Sequence, residues 1–359
     1  MAIGLFMQEC IKLSINPSIS ILIPTLNSGK VLEKCLKSIK DQDYSKDKIE
    51  IVIADGSSTD NTLDIAKKYK VRIYKNPLKT GEAGKAVALK YARNELIAFV
   101  DSDNILPQVD WLKRMVEPFN DPEIFASEPV KYTYRINDGY ITRYCALLGM
   151  NDPLCLFLGN YDRYSLLTDK WTETPNKEED KGNYLKIELD NKCLPTIGAN
   201  GFVIRRSILE RYNIGDYLFD IDIVYELLNP KSMANYANTF SSFRFAKVKI
   251  GIIHLFSGNI KTFVKKQKRR INDYIYYYKL GIRKYPWGST NKVKLLKFII
   301  SCLTVIPLLC QSVKGYIKKP DKAWFFHPIA CWLTLWEYGW GIISSVFYVK
   351  ELKREGWKQ

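Results

Sequence analysis

Asp101 and Asp103 stand two residues apart where an apolar run, residues 96–100 (LIAFV), stops. Such a run reads as a buried parallel strand, and open α/β sheets place their ligands at the carboxyl ends of those strands. Carboxylates at i and i+2 share one face of an extended chain and converge on a single cation as the strand turns into a loop. One or two carboxylates, with substrate phosphates completing the shell, is the usual setting for Mg2+ or Mn2+. Asp-Ser-Asp-Asn is also an ordinary polar turn, so the reading depends on the elements around it.

Those elements repeat one form, a strand that runs into a polar turn and then a helix. Residues 19–24 (ISILIP) make a first strand, left by the turn Thr25-Leu26-Asn27-Ser28-Gly29, and Val31, Leu32, Cys35, Leu36 and Ile39 follow at helical spacing. Residues 49–54 (IEIVIA) make a second strand that enters Asp55-Gly56-Ser57-Ser58-Thr59-Asp60, with a helix over 63–69. Asp55 at that strand end reaches a base or ribose while the loop amides stay open to phosphate, or the loop is a capped helix start and no more. A third strand spans 71–74, and Thr80-Gly81-Glu82-Ala83-Gly84-Lys85-Ala86 reads as a loop into a helix over 87–93. Glycines followed by Lys85 suit a pyrophosphate. The GxxxxGK[ST] spacing is missing, which excludes a P-loop nucleotidase.

The chain of 359 residues is 47% hydrophobic, enough for a large folded domain and an appendage, and its formal charge of +16 asks for an anionic partner. No zinc-finger spacing, RNP-like run or helix-turn-helix signature points to nucleic acid. The eight cysteines form no CxxC pair, and several lie in apolar runs, as expected of reduced thiols. The N-terminal residues lack the pattern of a secretory signal.

The ordered segments ISILIPTLN, IVIADGSSTDNT, TGEAGKAVALKYARN and LIAFVDSDN resemble the family 2 glycosyltransferases, which have the α/β GT-A fold and use nucleotide-diphosphate sugars. The resemblance implies that Pro24 and Asn27 line the nucleotide end of the pocket, that Asp55 contacts the base, and that Lys85 lies near the base or phosphates. It makes Asp103 the direct ligand of a divalent cation, Mn2+ or Mg2+, with Asp101 nearer the ribose or the metal's waters. It returns at Gly198-Ala199-Asn200-Gly201, a turn lining the acceptor and sugar pocket, and at residues 217–223 (YLFDIDI). There Asp220 occupies the catalytic-base position and Asp222 is the fallback, while Phe219 departs from the family's acidic residue. His254, at the end of a strand-like run, is a candidate third metal ligand or a structural histidine. Gln267-Lys268-Arg269-Arg270-Ile271 partly echoes a motif of processive members. Arg269 and Arg270 are candidate phosphate-binding residues, or part of a cationic helix lying on lipid.

Glu128, Lys131 and Arg135 read as a solvated edge strand, and residues 168–191 as a surface loop with no chemistry. Towards the C-terminus, residues 295–313 and 323–349 are apolar runs near spanning length, rich in Trp and Tyr and flanked everywhere by lysines. The positive-inside rule puts every flank in the cytoplasm, which two full spans do not allow, so a hairpin, a re-entrant pair and interfacial helices all stay open. The expected organisation is a catalytic domain over 1–250 (nucleotide half 17–110, acceptor half 111–250), a basic connector over 251–292 and membrane-associated helices over 293–359. The expected function is inverting transfer of a sugar from a UDP- or, less favoured, a GDP-sugar to a lipid-linked acceptor, polyprenyl phosphate or a lipid-linked glycan, at the cytoplasmic face of an anionic membrane. The alternatives are a catalytically degenerate membrane-anchored assembly subunit, and a transferase with a soluble sugar or protein acceptor.

Overall fold

The computed structural model describes residues 16–190, 192–210, 212, 214–229, 244–286 and 292–347. They divide into two compact units, one holding the residues up to Val130 together with Pro175–Ile252, the other Lys131–Thr174 with the described residues from 253 onward.

The first unit is built on a mixed sheet. Its strands are β1 (Ile19–Thr25), β2 (Ile49–Asp55), β3 (Arg72–Lys75), β4 (Leu96–Phe99), β5 (Asn104–Ile105), β6 (Ile124–Thr133), β7 (Lys177–Asp180), β8 (Tyr184–Glu188), β9 (Phe202–Arg205) and β10 (Arg244–His254). They run in the order β3-β2-β1-β4-β9-β6-β10-β8-β7, with β5 paired to β10. β1 is parallel to β2 and to β4, and β2 to β3. β9 lies antiparallel against β4. The apolar runs of β1, β2 and β4 have buried residues on both faces, which is why they read in sequence as continuous rather than alternating hydrophobic segments.

One boundary differs from the sequence expectation. The helix Gly81–Lys90 begins six residues before the expected start, so the glycine-rich stretch is helix and not a phosphate-cradling loop. The reason is Thr80, whose hydroxyl accepts a hydrogen bond from the Ala83 amide at 3.1 Å and caps the first turn.

The second unit takes in residues that the sequence assigned to the acceptor half. Tyr144, Leu148 and Phe157 share a buried core with Phe298, Leu308, Trp324 and Cys331 from the C-terminal helices. The helix Tyr140–Leu148 is buried around most of its circumference, so it needs neighbours on several sides and finds them there. The run 295–313 is not one helix. It breaks at Val305, whose φ is 61°, into Lys292–Thr304 and Ile306–Lys318, bent by 90°. No single helix among the described residues is long and apolar enough to cross a membrane, and only this bent pair taken together has the length and composition. The last two residues of the run 323–349 lie outside the described residues.

Candidate functional site

The carboxyl ends of β1, β2 and β4 meet at one edge of the sheet. Register sets Thr25 beside Asp55, and the Thr25 hydroxyl donates to Asp55 Oδ1 at 2.8 Å. Asp55 also accepts from the Ser58 hydroxyl at 2.6 Å and the Ser58 amide at 2.8 Å. The Asn27 amide donates to that same Ser58 hydroxyl, and Asn27 Oδ1 accepts from the Thr59 amide, both at 2.8 Å. Asp55 and Asn27 therefore hold the two loops in register, and both are buried. Pro24 lies under the helix Gly81–Lys90, where a Cβ on Gly84 would come within 2.7 Å of the proline Cβ.

Asp101 and Asp103 follow β4 on one tight turn. Asn104, to which the sequence reading gave no role, organises it: its Oδ1 accepts from the Asp101 amide at 3.0 Å, and its Nδ2 donates to Asn200 Oδ1 at 2.9 Å. One side-chain amide thus ties the carboxylate turn to the turn at 198–201. The Asp101 side chain is about one-third exposed, while Asp103 is buried. Among the described residues no three His, Cys, Asp or Glu side chains gather into a metal cage. Two hard oxygen donors on one partly open turn fit a cation whose shell is completed by substrate phosphates, the divalent setting expected from the sequence.

Lys85 and Asp220 form the centre of the site. The Lys85 ammonium is paired with Asp220 Oδ2, stands 3.9 Å from Asp101 Oδ1, and lies 5.8 Å from the centre of the Phe99 ring. Burial pulls the lysine towards neutrality, but Asp220 and Asp101 outweigh it and hold the ammonium charged well above its usual range. Burial also pushes the Asp220 carboxyl up to about 7, against the pull of Lys85. Its Oδ1 is buried and has no hydrogen-bond partner among the described residues. A buried carboxylate oxygen without a partner beside an ion-paired one marks a candidate functional group. The Leu218 amide donates to the Glu82 carbonyl at 3.0 Å, fixing the segment that presents Asp220 against the helix that carries Lys85.

Asp222 lies on the helix Asp220–Leu227, which Asp220 opens. Two residues along a helix turn a side chain by roughly 200°, so the two carboxylates face apart. Asp222 is itself buried.

The turn 198–201 packs on Asp220 directly. Gly198 has φ +126°, and a Cβ there would meet Asp220 Cβ at 2.7 Å and its carbonyl carbon at 2.8 Å. Gly198→Ala is expected to destabilise by about 1–3 kcal/mol and to lower activity as Asp220 shifts; unchanged denaturant midpoint and activity would count against this packing. Beneath the turn, Glu128 Oε1 accepts from the Gly198 amide at 3.1 Å, and Glu128 Oε2 pairs with Lys247 at 2.5 Å, both side chains being fully buried. Glu128 is therefore not on a solvated edge, as the sequence suggested: β6 is interior to the sheet, between β9 and β10. Ala199 and Gly201 complete the turn, the latter donating its amide to the Phe99 carbonyl at 2.8 Å.

The other candidates belong to the second unit. His254 Nδ1 lies 3.1 Å from Asn151 Nδ2, and its ring packs on Tyr132 and Phe256. Arg270 is 3.5 Å from Asp152 and donates to Gln267 Oε1 at 2.6 Å. Arg269 lies 3.9 Å from Asp273, one helical turn along. The structure thus gathers Lys85, Asp101, Asp103, Asn200 and Asp220 in the first unit, and His254, Arg269 and Arg270 belong to the second.

Comparison with known proteins identifies a family and a fold. The family described as "Glycosyl transferase family 2" matches residues 20–212, more than half of the chain. Poly(ribitol-phosphate) beta-N-acetylglucosaminyltransferase TarS of Staphylococcus aureus is 40% identical over 93 residues, 24% of this chain and 16% of its own. Dolichyl N-acetyl-alpha-D-glucosaminyl phosphate 3-beta-D-2,3-diacetamido-2,3-dideoxy-beta-D-glucuronosyltransferase of Methanococcus voltae is 39% identical over 115 residues, 28% of this chain and 33% of its own. The chain thus spans no more than a third of either relative's length. Among solved structures, a mannosyltransferase from Pyrobaculum calidifontis in complex with GDP-Man and Mn2+ is similar with TM-score 0.51 at 15% identity, covering 94% of each chain. The mixed sheet accords with the α/β GT-A-like fold expected from the sequence.

Proposed function

This chain belongs to glycosyl transferase family 2, and from that premise we propose that it moves a sugar from a nucleotide-diphosphate donor, UDP-linked rather than GDP-linked, to a lipid-linked acceptor with inversion at the anomeric carbon. The acceptor is polyprenyl phosphate or a lipid-linked glycan, met at the cytoplasmic face of a membrane. The observation that carries the proposal is the Lys85–Asp220 pair with its unpartnered Oδ1, set at the strand ends that bear Asp101 and Asp103. A lipid-linked acceptor is supported by the name of the Methanococcus voltae relative.

In this reading Asp220 Oδ1 takes the proton of the acceptor hydroxyl as that oxygen bonds to the anomeric carbon and the bond to the diphosphate breaks. Lys85 holds Oδ2 and so fixes which oxygen is presented. A phosphate acceptor is already an anion and gives up no proton, so Asp220 then serves by orientation alone. Asp101 and Asp103 would hold the divalent cation, Mn2+ or Mg2+, which when bound neutralises charge on the departing nucleoside diphosphate. The loops fixed by Asp55 and Asn27 shape the nucleotide end.

Calorimetric titration with UDP and with GDP, each with and without Mn2+, tests the reading. Metal-dependent binding of UDP, weakened at least about tenfold in Asp103→Asn, is expected when a ligand to the bridging cation is lost. Metal-dependent binding of GDP alone would change the donor class. Binding of neither nucleotide would remove the transferase reading in favour of a degenerate assembly subunit.

A further inference from the structure

The C-terminal helices of the second unit share a core on one side and leave the other side uncovered. On the helix His327–Phe347 the uncovered residues are Ile329, Trp332, Trp336, Trp340, Ile343 and Phe347, between 46% and 85% exposed. Steps of three and four place all six on one face, and none is charged. Val293, Leu296, Ile300 and Leu303 repeat the spacing on Lys292–Thr304, and Ile306, Leu309, Val313 and Ile317 repeat it on Ile306–Lys318. The opposite faces, with Phe298, Cys302, Leu308, Ala330 and Cys331, are buried. Soluble proteins rarely leave apolar stripes of this extent open.

Two observations fix what covers them. Between residues 292 and 322 the chain has seven lysines and one carboxylate, and Lys292, Lys297, Lys319 and Lys322 are exposed. Aliphatic and Trp stripes edged by cations complement an anionic phospholipid surface. The second observation argues against a crossing by the helix His327–Phe347. The helix His327–Phe347 runs alongside Ile260–Lys279: Tyr338 bonds Gln267 at 3.3 Å, Gly341 lies against Ile271, and Lys279 donates to the Ser345 carbonyl at 3.0 Å. Lys261, Lys265, Lys268 and Arg269 lie along that companion helix. A membrane-spanning placement of the Trp helix would carry these cations into hydrocarbon.

We infer that the C-terminal helices lie in the plane of one leaflet of an anionic bilayer, with the three stripes sunk to the level of the acyl boundary and the lysines at the phosphates. This placement rests on the reading of a membrane-held acceptor and names the surface by which the chain would reach it.

The test is binding of the full-length protein to vesicles of phosphatidylglycerol and phosphatidylcholine, against phosphatidylcholine alone. Preferential binding to the anionic vesicles is expected, with Trp fluorescence quenched more by bromines near the headgroups than by bromines at the acyl ends. Trp336→Glu with Trp340→Glu, and separately Lys292→Glu with Lys297→Glu, are each expected to weaken binding about tenfold or more. These positions are exposed, so thermal unfolding should stay at the wild-type temperature and separates lost binding from lost folding. Asp103→Asn is expected to bind vesicles as wild type does. Vesicle binding without nucleotide binding would fell the transferase reading and leave this inference standing. Deep quenching with resistance to carbonate extraction, no preference for anionic lipid, or self-association through the stripes in place of vesicle binding would each overturn it.

Discussion

Asp220→Asn is expected to reduce transfer to a hydroxyl acceptor roughly a hundred- to ten-thousand-fold, the range that a positioned general base contributes. The amide keeps the size of the carboxylate and loses its basicity, so nucleotide binding at the Asp101 and Asp103 turn should survive. The pH profile carries the sign. Burial raises the Asp220 carboxyl to about 7, and only the deprotonated form accepts a proton. In the wild type kcat/KM should therefore rise with pH up to about 7 and level off above it, and the variant should lose that rise. The same shift predicts the reverse for stability. The folded chain keeps a proton that the unfolded chain releases near pH 4, so this residue's contribution to stability falls as pH climbs from there through about 7. A variant with more than a tenth of wild-type activity on a hydroxyl acceptor would remove Asp220 from the role of base.

Lys247→Ala is expected to destabilise the fold by about 3–5 kcal/mol, because it removes the cation from a fully buried pair and leaves the carboxylate in a low-dielectric interior. Neither Glu128 nor Lys247 has any exposed side-chain surface. Glu128→Gln combined with Lys247→Met should recover most of the loss, since the glutamine oxygen still accepts from the Gly198 amide and no charge remains buried. Chemical denaturation of the three proteins checks this. A single variant within about 1 kcal/mol of wild type would show that water reaches the pair.

What the sequence showed, and what it hid, follows from range. β1, β2 and β4 are legible because a strand buried on both faces must be apolar throughout, and the carboxylates that end the last of them stand out against that run. Lys85 reads in the sequence as part of a loop and lies within a helix, because two glycines outweighed the Thr80 cap that starts it. Glu128 is not legible at all. Its cation lies 119 residues away, and only the strand order, with β6 beside β10, brings the charges together. Asp220 and its fallback Asp222 separate once the segment is helical, because two residues of helix turn their side chains apart. Residues 131–174 read as acceptor region from their position in the chain, whereas their apolar surface is satisfied by the C-terminal helices. Those helices were legible in composition, and Pro307, which takes the first turn of the helix after the break at Val305, suits a helix start.

The Asn104 side chain has a consequence for conformational entropy. By bonding the Asp101 amide on one side and Asn200 on the other, it ties two loops from distant parts of the chain together before any ligand arrives. Freezing loop residues costs about 1–2 kcal/mol each, and here that ordering is completed during folding. Less of the free energy of donor binding is then spent on arranging the protein, and more remains for holding the sugar in line with its acceptor.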